Sequence, residues 1–252
     1  MKISIITVCY NSEKTISKTL ESISNQSSKK IEHIIIDGKS TDSTLSIISK
    51  LPYKKKVISE PDNGIYDAMN KGIKIAKGDI IGFLNSDDFY ANNDIISRVL
   101  KQFENNPKID ACYSDLIYVN QFNTSKTVRY LKSREFYEGL FSKGWCPPHP
   151  TFFVRRSVYE RLGKFDLNYH IASDVDLMMR FLEKYKVKSQ YIPEVWVKMR
   201  MGGTTNKNLK NILLQNKEIL HSFNKNNLSV SYLKFFIYKF ISRTLQLFKR
   251  PS

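Results

Sequence analysis

Over its first ninety residues the chain alternates between short, β-branched apolar runs and segments whose apolar residues recur at helical spacing. This alternation is the tightest constraint on the fold. Strands joined by helical crossovers lie parallel, with right-handed connections. Ile3 to Cys9 reads as a first strand, and residues 13–24 as a helix with Ile16, Leu20 and Ile23 on one face. Ile31 to Ile36 is a second strand ending at Asp37; Gly38-Lys39-Ser40-Thr41-Asp42 follows as turn chemistry, with Thr41 or Asp42 capping the next helix. Val57 to Ser59 is a third strand. Asp62-Asn63-Gly64 then turns into a helix carrying Ile65, Met69, Ile73 and Ile75, and Ile80 to Leu84 is the fourth strand. Beyond Asn93 the spacing predicts a helix to Glu104, a strand over Ala111 to Val119, a strand over Thr151 to Val154 and a helix over Ser173 to Tyr185. Pro147, Pro148 and Pro150 make the segment between Gly144 and Thr151 a loop.

The fourth strand ends abruptly in Asn85-Ser86-Asp87-Asp88. In a parallel sheet that places two adjacent carboxylates at the edge where ligands bind. Adjacent aspartates repel, and water or a divalent cation relieves the charge; hard oxygen ligands suit magnesium or manganese on a diphosphate. An Asp-rich turn capping the following helix accounts for the same residues more simply. Asp37 and Asp174 also stand at element ends, as a turn former and a helix-start acid when taken singly. Together with Asp87 and Asp88 they suit nucleotide recognition, proton abstraction and metal binding.

Other chemistries lack their signatures. No Gly-x-Gly-x-x-Gly follows the first strand, and no P-loop or Gly-x-Ser-x-Gly elbow occurs. His33, His149, His170 and His221 have no metal-ligand spacing, and Cys9, Cys112 and Cys146 form no CxxC pair. An odd cysteine count favours a reducing compartment. The opening apolar run is too short for a signal peptide, and no stretch is long enough to span a bilayer, so a cytoplasmic protein is expected.

The net charge of +16 calls for a partner: nucleic acid, an anionic membrane or a phosphorylated substrate. The excess is concentrated at the end. From Asn206 onward Lys207, Lys210, Lys217, Lys225, Lys234, Lys239, Arg243, Lys249 and Arg250 face a single acid, Glu218. Leu233, Phe236, Ile237, Phe240, Ile241, Leu245 and Phe248 share one helical face, with Lys239, Arg243, Gln246 and Arg250 opposite. Such a helix lies in a membrane interface or packs on protein.

The order of these segments resembles the inverting nucleotide-sugar glycosyltransferases of family 2, of the bacterial surface-polysaccharide type. The resemblance runs from Ile3 to about Gly203, through Ile5 to Asn11, Ile35 to Asp42, Glu60 to Gly72, Leu84 to Asp88 and Ser173 to Arg180. It implies the A-type fold, a three-layer αβα sandwich around a mostly parallel sheet. Residues 1–205 would form the catalytic domain, with a nucleotide-sugar-binding half at 1–90 and an acceptor half at 91–205, and 206–252 a basic helical extension. The resemblance also assigns roles. Tyr10 would pack on the base and Asp37 bind its polar edge. Thr7, Cys9 and Asn11 would help to floor the pocket, and Asn63, Asn70, Asn85 and Ser86 would line the donor. Asp87, with Asp88, would hold Mn²⁺ or Mg²⁺, although Asn85 stands where the family has its first motif acid. Lys71, Lys39 or Arg200 would supply the diphosphate's positive partner. Asp174 would be the general base, with no strongly raised pKa required of it. Trp145, His149 and Arg180 would lie on the acceptor side, where a core tryptophan and a loop histidine are the simpler reading of the first two.

The resemblance thus implies transfer of a hexose or N-acetylhexosamine from a UDP-sugar to a lipid-diphosphate-linked saccharide. The product would serve O-antigen, capsule or exopolysaccharide assembly, at the inner leaflet and with the tail on the membrane. Two other readings compete. A nucleotidyltransferase would carry a Gly-rich basic loop after strand one, where this chain has Cys9-Tyr10-Asn11-Ser12-Glu13. A nucleic-acid-binding module would interleave its basic residues with aromatics on a folded surface. The carboxylates at the expected cleft argue against that, so no nucleic-acid partner is expected.

Overall fold

The computed structural model describes residues 1–202 and 209–248. Lys207, Lys249 and Arg250, and the side chains of Arg243, Leu245, Gln246 and Phe248, lie outside the described residues.

The first half folds as the alternation dictates. Strands β1 (Ile3–Cys9), β2 (Ile31–Asp37), β3 (Lys56–Ser59) and β4 (Ile80–Phe83) alternate with helices α1 (Ile16–Ser24), α2 (Thr44–Lys50) and α3 (Ile65–Ile75). All four strands are parallel, in the order β3-β2-β1-β4. Every residue of β1 is buried, as expected of a strand covered on both faces. Its side chains alternate between two cores: Ile3 and Ile5 join the α1/α4 side, while Ile6 and Val8 join the α3 side. On α3 the buried residues are Tyr66, Ala68, Met69, Gly72 and Ile73, whereas Ile65 is exposed.

The second half completes the sheet with mixed pairing. It adds β5 (Phe89–Tyr90), α4 (Ile95–Asn105), β6 (Ala111–Val119), β7 (Thr127–Leu131), β8 (Phe153–Arg155), α5 (Arg156–Leu162), α6 (Ser173–Met179) and β9 (Ser189–Arg200). β8 runs antiparallel between β4 and β6, and β9 lies parallel to β6. The α6 helix continues as a π-helical turn over Arg180–Lys184. β5, β7 and β9 have no counterpart in the sequence reading. β5 has only two residues, and β9 carries Pro193 inside a register shift, where its missing N–H breaks the strand pattern.

The tail is more tightly joined than an appended extension. Helix α7 (Leu209–Lys225) places Ile219 and Phe223 in the main core, and α8 (Tyr232–Phe248) adds Phe235. Residues of α7 and the start of α8 therefore share the main core with the elements before residue 205. Lys239 does not share an exposed polar face. Its backbone packs on Gly144, whose positive φ of 68° and close approach leave no room for a side chain. Leu233, Phe236, Ile237, Phe240 and Ile241 are instead the residues left exposed.

Candidate active site

The carboxyl ends of β1, β2 and β4 are tied into one rim by hydrogen bonds between their loops. Asn11, at φ 48°, donates its N–H to Ser40 Oγ (2.8 Å) and accepts the Thr41 N–H (2.9 Å). Ser12 Oγ meets Ser86 Oγ at 2.8 Å, joining the first loop to the Asn85-Ser86-Asp87 loop. Asp42 accepts from the Thr44 N–H at the start of α2 and from the Glu13 N–H, so the aspartate, and not Thr41, does the capping. Tyr10 is 62% exposed on this rim, with its ring beside Gly38, where a Cβ would press on it and on the Asp62 carboxylate. A flat, open aromatic face next to a side-chain-free position suits a stacked base.

Asp37 is wholly buried beneath this rim. Its carboxylate accepts the Ser40 N–H (3.0 Å) and the Ser59 (2.6 Å) and Ser40 hydroxyls, with the Cys9 thiol at 3.6 Å. Base recognition by Asp37 requires exchange of at least one of these bonds. Burial and Asp37 push the Cys9 thiol far up, so it stays neutral. Thr7 is not brought to the pocket: it is fully buried, with its hydroxyl 3.0 Å from His33 Nε2. Asn63 is exposed and donates its N–H to Asp67 Oδ2. Asn70 is committed elsewhere, its amide exchanging two hydrogen bonds with the backbone of Phe165 (2.9 and 3.0 Å). The side chains of Thr7 and Asn70 thus have structural partners where the resemblance implied a ligand.

The two adjacent acids diverge. Asp87 is half-buried on the cleft, and desolvation raises its pKa against the pull of Arg200. Asp88 is 0% exposed, both its carboxylate oxygens lack a hydrogen-bond partner, and burial plus Asp87 push its pKa far up. Asp88 therefore does not share the open face on which a metal bound to Asp87 would sit. Asn85 Oδ1, next in the same loop, is also buried without a partner. Partly exposed Asp87 and the unpartnered Asn85 Oδ1 offer hard oxygens that fit magnesium or manganese once a diphosphate completes the coordination, with the unpartnered Asp88 carboxylate enclosed behind them. No cluster of three or more His, Cys, Asp or Glu able to hold a metal occurs among the described residues.

The positive charge beside these acids comes from β9. Pairing of Phe89 with Lys198 carries the end of β9 to the loop, so that Arg200 acts on both Asp87 and Asp88. Lys71, by contrast, is held by Glu60 (3.0 Å), Asp67 (3.8 Å) and the Pro61 carbonyl. Of the sequence's candidate phosphate partners, Arg200 is the one set beside the acids, while Lys39 occupies a positive-φ turn position.

Asp174 opens α6. Its Oδ1 accepts from the Val175 N–H (2.9 Å) and shares the single hydroxyl proton of Tyr66 on α3 (3.2 Å) with the Ile171 carbonyl (2.8 Å). Desolvation dominates over these bonds and raises its pKa to about 6, higher than the sequence reading required. A carboxylate so placed is a base near neutral pH.

The segment before it is gripped from the tail. Glu218 on α7 is buried and accepts the N–H groups of His170, Ile171 and Ala172, each at 2.9 Å. Ser222 on the same helix and Asn226 just past its end donate to buried Asp176, two residues past Asp174. Neither Tyr66 nor Glu218 was singled out from sequence for the site, although Glu218, the lone acid in a basic tail, was a visible signal. Glu218→Ala strips three N–H groups of their acceptor, and the buried one, of Ala172, costs about 1–3 kcal/mol. The expected result, read by thermal melting, is destabilisation of about 1–3 kcal/mol, with transfer falling in parallel as the segment before Asp174 loses its support.

On the acceptor side the structure separates three residues. Trp145 packs edge-on to Tyr113 and Phe141, with its Nε1 unpartnered. His149 is buried against Phe83 and Phe165, and burial lowers its pKa to about 4, so it is neutral. Arg180 donates to the Lys164 carbonyl and lies over Phe181, while its Nε is buried without a partner.

The parallel half followed by a mixed-sheet half is the A-type fold of nucleotide-sugar transferases. The chain belongs to Glycosyl transferase family 2, which it matches over residues 4–163, and it is a glycosyltransferase. It is 29% identical, over 81% of its length and 78% of the relative's, to a PGL/p-HBAD biosynthesis glycosyltransferase of Mycobacterium bovis. S. aureus TarS 1–349 in complex with UDP-GlcNAc superposes with a TM-score of 0.64 at 18% identity, covering 95% of this chain and 70% of that one. The mannosyltransferase PcManGT of Pyrobaculum calidifontis, in complex with GDP-Man and Mn2+, gives 0.65 at 18% identity, covering 97% and 69%.

Proposed function

We propose that this enzyme transfers a hexose or N-acetylhexosamine, with inversion, from a UDP-sugar to a lipid-diphosphate-linked saccharide of the O-antigen, capsule or exopolysaccharide kind. The observation that carries the reading is Asp174, held by Tyr66 and Val175 with its pKa raised to about 6. Asp174 accepts the proton of the acceptor hydroxyl as that oxygen attacks the anomeric carbon from the face opposite the leaving nucleotide. Tyr66 keeps the carboxylate aimed, and Arg200 lies where charge develops on the leaving diphosphate. Mn²⁺ or Mg²⁺ held by Asp87 and Asn85 Oδ1 supplies Lewis-acid neutralisation of that diphosphate when bound. The bound donors of TarS and PcManGT support a nucleotide-sugar in this cleft. The test is transfer from UDP-sugars to a prenyl-diphosphate-linked sugar, with the product's anomeric configuration read by NMR. Inversion is expected; retention removes the single-base mechanism.

The enzyme works at the inner leaflet as a peripheral protein. No helix among the described residues is long and apolar enough to cross a membrane, but α8 exposes Leu233 and Phe240, each 73% accessible, on a chain of net charge +16. Deleting the chain from Ser231 would remove buried Phe235, so point changes are the cleaner test. Leu233→Glu with Phe240→Glu is expected to release the protein from anionic vesicles in a flotation assay without lowering its melting temperature. Unchanged flotation would remove the membrane assignment.

A further inference from the structure

A cavity of about 480 Å³ lies between β7, the 137–146 segment, α7 and α8, outside the donor cleft. Its lining contains Arg129, Lys132, Arg134, Lys143 and Lys239 and, among the described residues, no carboxylate. Aromatic rings, Tyr137, Phe141 and Trp145, share the wall. Four lining residues carry a buried polar atom without a hydrogen-bond partner: Arg129 Nε, Ser133 Oγ, Trp145 Nε1 and Gln215 Oε1. Ser133 is itself 7% exposed, and its N–H is fixed at 2.7 Å on buried Asp115, which also accepts from Tyr130 and Tyr191. Buried polar groups in folded proteins are normally satisfied, so four orphans around one cationic cavity indicate a missing polar ligand.

Two continuities define that ligand. Val175 lines the cavity next to the base Asp174, and Cys146, also in the lining, feels the charge of both Asp174 and Lys239. In the other direction, Tyr238 and Ile241 belong both to the lining and to the exposed apolar surface of α8. A ligand spanning this route is anionic in the middle, presents a hydroxyl to Asp174 at one end and is apolar at the other.

We infer that this cavity is the acceptor's headgroup site, binding the diphosphate of an amphiphile whose hydrocarbon chain leaves along α8. The inference rests on the lipid-diphosphate reading above and deepens it. A cation-rich lining with no carboxylate among its described residues suits a doubly charged phosphate chain better than a neutral saccharide. A size of about 480 Å³ falls in the range of small-molecule sites. The cavity's closeness to the base limits the saccharide between diphosphate and acceptor hydroxyl to a short one.

The test is calorimetric titration of the full chain with farnesyl diphosphate, farnesol and inorganic pyrophosphate, each with saturating UDP and Mn²⁺ so that the donor cleft is filled. Farnesyl diphosphate is expected to bind at least tenfold more tightly than either fragment. Lys132→Ala with Arg134→Ala, both exposed, is expected to weaken it tenfold or more and to raise the acceptor KM alike, with the donor KM within twofold. Lys143→Ala provides an independent check should the double variant melt early. Equal binding of farnesol, tighter binding of free pyrophosphate, or a double variant with unaltered affinity would overturn the assignment. Transfer to a lipid-diphosphate acceptor with an unmoved KM in the double variant would refute the cavity and spare the proposed function. A wild-type enzyme that turns over a nucleotide-sugar but binds no prenyl diphosphate would refute both the cavity and the acceptor class.

Discussion

Asp174→Asn is expected to lower transfer by roughly 10²–10⁴-fold, the range set by removing a general base. Donor affinity should stay within twofold, because Asp174 acts on the acceptor. The amide keeps its oxygen for the Tyr66 hydroxyl and the Val175 N–H, so the loop holds its shape. With the carboxyl group's pKa at about 6, wild-type kcat/KM should climb tenfold per pH unit below that value and level off above it. The variant's profile should be flat there. Stability moves the other way. The folded-state pKa lies above the ordinary 3.8, so the folded protein holds a proton that the unfolded chain has released between about pH 4 and 6. Asp174 therefore costs stability progressively across that window and fully above it. At pH 7.5 the asparagine variant should be more stable by on the order of 1–2 kcal/mol after solvent screening, and at pH 4 no more stable than wild type. An inactive variant that melts higher only at neutral pH is a combination that loop damage does not produce.

Asp87→Ala is the second large effect. It removes the half-buried carboxylate of the rim and leaves Asn85 Oδ1 without its neighbouring ligand. A loss of roughly 10²–10³-fold in kcat/KM is expected, as for removal of one strong electrostatic contact to a leaving group. Donor binding should lose its response to manganese, a readout independent of turnover. Asp88→Ala separates the adjacent acids: Asp88 is buried behind the loop, so manganese dependence should survive its loss. A variant at Asp87 that retains metal-dependent donor binding would transfer the metal role elsewhere.

The parallel half of the fold was legible because its signals are local. Each of β1 to β4 lies within a residue of its expected bounds, and for β1, β2 and β4 the reason is that a buried parallel strand is written as a largely apolar run. The second half is specified by distant partners. The two residues of β5 become a strand only through β9, more than a hundred positions later, and that pairing also delivers Arg200 to the acids. Asp87 and Asp174 could be named from motif order, as their chemistry resides in residue type. Thr7, Asn70 and Arg180 show what residue type leaves open. Sequence shows that a side chain is polar, whereas the structure shows that His33, Phe165 and Lys164 already occupy it. The tail shows the reverse: Glu218 is conspicuous as the single acid in a basic segment, and the fold explains it as the anchor of the segment leading to Asp174.

The account's central claim is a metal-assisted nucleotide-sugar cleft at Tyr10, Asp37 and Asp87. The most direct test is a thermal-shift series on the purified protein against UDP, GDP, CMP and their sugars, each with and without manganese. The account predicts stabilisation by uridine nucleotides, enhanced by manganese in the wild type and insensitive to it in Asp87→Ala. No stabilisation by any nucleotide, or an equal metal response in wild type and Asp87→Ala, would contradict it.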